Sequence, residues 1–145
     1  MHRHIPFPAL LLLPALAMGA PETDTRQIID VPGPIREQIL VNMRDHLLAI
    51  QQIAAELAQD HFDAAADLAE ERLGMTAMQR HGGHEIARYM PDGMRATATA
   101  MHHAGSRLAI VARDAAVTTD PAGSIAALSN VMAQCVACHS GYRMQ

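Results

Sequence analysis

The chain has 145 residues, with 15 acidic side chains against 11 basic ones, and its formal charge at neutral pH is −4. Every basic residue is arginine except the histidines, and none forms the basic stripe that a phosphate backbone demands, which excludes nucleic acid as a partner. Aromatic residues make up only 3% and tryptophan is absent, so the core rests on Ala, Leu, Ile and Met and has room for a flat apolar group that is not polypeptide.

Residues 1–19 read as a secretory signal peptide. His2, Arg3 and His4 precede an apolar run from Pro8 to Ala17, with small residues at Ala15 and Ala17 for cleavage. The run is too short to span a bilayer, so the expectation is export to the periplasm with no stable membrane insertion after cleavage. An irregular leader, 20–33, ends at Pro32-Gly33-Pro34, and the remaining 34–145 suffice for one domain with one core.

From about 34 to 59, Leu40, Met43, Leu47, Ile50, Ala54 and Leu57 recur at steps of three and four, the apolar face of a first helix. Asp60 is the expected N-cap of a second, with Asp63 at its third position and Phe62, Ala66, Leu68 and Leu73 carrying it to a stop at Gly74. Its acidic residues Asp63, Asp67, Glu70 and Glu71 read as a solvated face. Gly82-Gly83, Pro91 and Gly93 mark 75–93 as a long connection with a single helical turn around Glu85–Tyr89. Within it, His81-Gly-Gly-His84 reads as surface loop, because two glycines make a poor metal clip.

A third helix places Met94, Met101, Leu108 and Ala115 seven apart, and its small residues Ala98, Ala104 and Gly105 leave space for something bulky. Of its adjacent histidines, one of His102 and His103 is expected to face solvent and the other to pack inward. Thr118-Thr119-Asp120-Pro121 supplies cap and first-turn proline for a fourth helix ending near Ser140. On it Ile125, Leu128, Met132, Cys135 and His139 follow one another at steps of three and four and are expected to share the inner face. No segment alternates with period two. The expected fold is all-α, an antiparallel four-helix bundle with its cofactor in the interior.

The only two cysteines, Cys135 and Cys138, stand in Cys135-Val-Ala-Cys138-His139, the C-x-x-C-H pattern of c-type haem attachment. Two thiols three positions apart can add to the two vinyl groups of one porphyrin, and His139 can reach the iron as proximal ligand. A haem-free dithiol protein competes, but its motif belongs at the mouth of a helix, where the helix dipole lowers a thiol pKa. A structural zinc site needs four ligands and there is no second cysteine pair; histidines could complete one, but nothing else in the sequence supports it.

These features together resemble the class II c-type cytochromes, the cytochrome c-prime and cytochrome c-556 family, marked by export, four helices and a C-terminal C-x-x-C-H. Cys135, Cys138 and His139 match residue for residue, and Tyr142-Arg143 matches the aromatic-basic pair that follows the motif there. The resemblance implies a distal site on the first helix, four residues beyond an arginine that faces a haem propionate. Arg36 and Leu40 have that spacing, which would leave the iron five-coordinate under an apolar residue. Met43, three positions on, would instead give a His/Met centre and a higher reduction potential. His46 is the histidine alternative. Arg36, Arg143 and Arg44 are the candidate propionate contacts, since a guanidinium forks onto a carboxylate.

The expected function is that of a mono-haem electron carrier with one covalent haem c, not an enzyme, serving redox partner proteins as a monomer or homodimer. The alternative is a module that binds small gases, nitric oxide or carbon monoxide, at an open distal position.

Overall fold

The computed structural model describes residues 23–145. Its elements run β1 (Gln27–Ile29), α1 (Gly33–Leu57), α2 (Phe62–Arg72), α3 (Met75–Arg80), α4 (Gly83–Ile86), a 3₁₀ turn (Ala87–Tyr89), α5 (Asp92–Thr118), α6 (Pro121–Gly141) and β2 (Tyr142–Met144). The chain is all-α apart from one short strand pair. Residues 1–19, read as a signal peptide, lie outside the described residues, as do the first positions of the leader.

Helix boundaries follow local chemistry. Pro32 and Pro34 open α1, where a missing N–H leaves no bond unmade. Asp120 caps α6 as the sequence predicts, its Oδ1 accepting from the Ala122 N–H at 3.0 Å. Asp60 does not cap α2. It adopts a left-handed conformation (φ 59°) in the turn after α1, which aspartate tolerates, and the cap position falls to His61.

The buried stripe of α1 is Ile39, Asn42, His46, Ala49, Ile53 and Leu57, one position out of phase with the predicted face. A count of apolar residues passes over Asn42 and His46, yet Asn42 is buried because its amide is satisfied on both sides. Gln38 Nε2 donates to its Oδ1 at 2.9 Å, and its Nδ2 donates to the His81 carbonyl at 3.0 Å. Leu40, Met43, Leu47 and Ile50 form the neighbouring stripe, which walls a cavity rather than the packed core.

Along α5, Met94, Met101, Leu108 and Ala115 are buried as expected. Gly105 is small for a different reason from the one predicted. A Cβ there would stand 2.5 Å from the Leu73 carbonyl and 2.9 Å from the Gly74 nitrogen, so glycine lets the end of α2 rest on the α5 backbone. The predicted inner face of α6 is also corrected. Ser124, Ala127, Leu128 and Val131 are buried, whereas Ile125 and Met132 are 59% and 40% exposed. Ala127, Leu128 and Val131 join the core cluster that includes Leu108 and Ala115 of α5, and Val111 stands 3.5 Å from where a Cβ on Gly123 would be, so small residues let α6 approach α5 on this side.

The connection 75–93 holds two short helices and the 3₁₀ turn instead of a single turn. Glu70 fixes its start by accepting from the Thr76 N–H at 3.1 Å and the Thr76 hydroxyl at 2.7 Å. The leader is not irregular throughout, since β1 pairs in parallel with β2, with Gln27, Ile28 and Ile29 opposite Tyr142, Arg143 and Met144. Three residues are too few for a period-two signal in the sequence. Among the described residues α6 is the one helix long and apolar enough to cross a bilayer. In this fold it packs along α5 with its inner face in the shared core.

Candidate functional site

Between α1, the α3–α4 connection, α5 and the last turns of α6 lies a cavity of about 430 Å³. Cys135, Cys138 and His139 line one wall, because positions i, i+3 and i+4 of a helix project to the same side. Leu40, Met43, His46, Leu47 and Ile50 come from α1, and Met94, Ala98, Met101 and His102 from α5. Met78, His81, Ile86 and Met90 close it from the connection. The polarizable methionines and aliphatic side chains make a cradle suited to a flat apolar group, with Cys135, Cys138 and His139 on one side and the Leu40–Met43 stripe of α1 also lining it. The donor set therefore fits a covalently held haem.

The thiols fit a redox dithiol poorly. Both are half-buried, and desolvation pushes each above the ordinary cysteine range. They also sit in the last turns of α6, where the helix dipole disfavours a thiolate. The His139 backbone is held from outside, since Arg26 Nη1 donates to its carbonyl at 3.3 Å.

Of the candidate distal residues, Leu40, Met43 and His46 all reach the cavity wall, Leu40 half-buried and Met43 36% exposed. Arg36 and Arg143 are engaged elsewhere. Arg36 Nε donates to the Gln145 carbonyl at 2.7 Å, and Arg143 pairs with Asp24 at 3.3 Å. Arg44 and Arg95 are the guanidinium groups that line the cavity. Arg95 is a residue the sequence reading missed, although its place in the first turn of α5, next to Met94 of the predicted face, was the available signal.

Sequence reasoning also missed a cluster of imidazoles. His46 on α1, His81 at the end of α3 and His102 on α5 meet with their nearest ring nitrogens all within 4.8 Å of one another. His46 Nε2 lies 3.2 Å from His81 Nδ1, and the His46 and His102 rings pack edge to face at 5.6 Å between centroids. His102 is the inward member of its pair, as expected, while His103 is exposed. His81 is not surface loop, its side chain being 17% exposed. Burial pushes His46 down to about 4, with the neighbouring His102 and His81 adding to the effect. Burial lowers His81 against the opposing pull of Asp45, and lowers His102 against the Leu73 and Gly74 carbonyls. All three rings are therefore neutral near pH 7.

Comparison with family models, with curated proteins and with solved structures gives no match to this chain.

Proposed function

We propose that this protein is a periplasmic mono-haem c-type cytochrome of the class II kind, a four-helix bundle of α1, α2, α5 and α6 that carries single electrons between redox partner proteins. The observation that carries the reading is the placement of Cys135, Cys138 and His139 on one wall of an apolar cavity. When bound, haem supplies the ferric–ferrous couple. Cys135 and Cys138 would hold it through thioethers and His139 would ligate its iron. Aliphatic and methionine side chains line the cavity, and Arg44 and Arg95 stand where a carboxylate could be received.

Across the cavity His46 points Nε2 at His81. The distal choice on α1 thus falls to Met43 or Leu40. Met43 ligation gives the electron carrier. The rival reading, a gas-binding cytochrome with five-coordinate iron, draws on Leu40, which lines the same cavity and is the more shielded of the two.

Expression with export and haem-attachment machinery tests the proposal. The mature protein should show a Soret band and an intact mass one haem above the chain, with no titratable thiol. Two free thiols and a colourless protein would overturn it.

A further inference from the structure

The imidazole cluster has the construction of a metal site. His46, His81 and His102 come from three separate elements, so no single helix or loop holds the arrangement together. The 3.2 Å between His46 Nε2 and His81 Nδ1 is about the edge of a tetrahedron with metal–nitrogen bonds of about 2.0–2.1 Å.

Hydrogen bonds fix which nitrogen of His102 is free, and neighbours orient His81. His102 Nδ1 carries its proton, donated to the Leu73 carbonyl at 2.9 Å and shared with Gly74 at 3.1 Å, so Nε2 holds the lone pair. His81 turns Nε2 toward Asp45 Oδ2 at 3.8 Å, leaving Nδ1 toward His46. Asp45 is itself held by Arg72, whose Nε donates to its Oδ2 at 2.9 Å and whose Nη2 bonds Oδ1. The Asn42 amide anchors the His81 carbonyl at 3.0 Å. A carbonyl hydrogen-bonded to His102 and a carboxylate 3.8 Å from His81 are the kinds of group that orient metal-ligating histidines, Asp45 being within reach of a small rotation.

We propose that His46, His81 and His102 bind one divalent transition-metal ion of the zinc type, on the wall of the cavity that Cys135, Cys138 and His139 also line. Three imidazoles without thiolate or carboxylate donors select zinc-like ions over magnesium and calcium, which prefer oxygen. The site goes beyond the cytochrome reading and does not depend on it.

Calorimetric titration of the mature protein with Zn²⁺, with Mg²⁺ as comparison, tests the assignment. The expected result is one Zn²⁺ per chain, no Mg²⁺ uptake and a rise in melting temperature with Zn²⁺. His81→Ala, the variant at the least buried ligand, should lose the site, and Asp45→Asn should weaken it by about 10–100-fold. The exposed histidines serve as controls, and His84→Ala with His103→Ala should bind Zn²⁺ as before. Absence of a saturable site, retention of affinity in His81→Ala, or loss of it in the control variant would each overturn the proposal. Circular dichroism of each variant establishes that it is folded before titration.

Discussion

Gly105 and Leu73 touch backbone to backbone, with no room for a methyl group between them. Three residues earlier on α5, His102 donates to the same Leu73 carbonyl. One close approach therefore serves both the packing of α2 on α5 and the aim of a histidine. Gly105→Ala should push the helices apart and cost about 1–3 kcal/mol, read by urea unfolding. It should also weaken Zn²⁺ binding, because the carbonyl that orients His102 moves with α2.

The sixth iron ligand separates electron carrier from gas binder. Met43 ligation should make the ferric protein low-spin, with the weak long-wavelength absorption of methionine sulfur. Met43→Ala should abolish that band and open the ferrous protein to carbon monoxide. Leu40→Ala should lose only packing, about 2 kcal/mol, near the lower end for such truncations since Leu40 is half-buried. A high-spin wild type and a spectrally silent Met43→Ala would make Leu40 the distal residue and favour the gas-binding reading.

Ser124 is fully buried on the inner face of α6, and its hydroxyl finds no hydrogen-bond partner among the described residues. An unmet buried hydroxyl costs stability, and alanine fits the same space with better helix propensity. Ser124→Ala should therefore raise the unfolding free energy by about 1 kcal/mol. A melting temperature below that of the wild type would show that the hydroxyl is satisfied in solution.

Acid should destabilise the metal-free protein through the histidine cluster. The unfolded chain protonates His46 near 6.5, whereas burial delays this to about 4 in the fold. Above pH 6.5 neither state takes the proton and stability is flat in this respect. Between 6.5 and 4 the unfolded state gains a proton the fold refuses, so stability falls by about 3 kcal/mol across that window and levels off below it. His81 and His102 act in the same direction. Denaturant unfolding from pH 8 to pH 4 with chelator present measures the slope, and His46→Gln should reduce it, leaving the part due to His81 and His102.

The common side of Cys135, Cys138 and His139 was legible because steps of three and four share a helix face, and all three line the cavity. The long helices were legible from period alone. The phase of α1 was not, since the buried Asn42 depends on a partner 39 positions away, the His81 carbonyl, which no local pattern announces. The histidine cluster was hidden for the same reason. His81 follows a six-residue helix in a stretch rich in breakers, and its inward turn depends on contacts with α1. On α6, apolarity misled: Ile125 and Met132 are more apolar than Ala127, yet Ala127 is the one buried against the core.

The parallel pairing of β1 with β2 sets an order of events during assembly. Arg26 and the His139 carbonyl that it holds are 113 positions apart, and bringing such distant segments together costs on the order of 4 kcal/mol in chain entropy. A pair of three-residue strands cannot stand against that alone, so the latch closes only after the helices have already brought its two ends near. Until then the residues after His139 are unpaired, and the end of α6 has no leader across it. Strand pairing is then the late step that ties the leader to the end of α6, so the two ends of the described chain are fixed last.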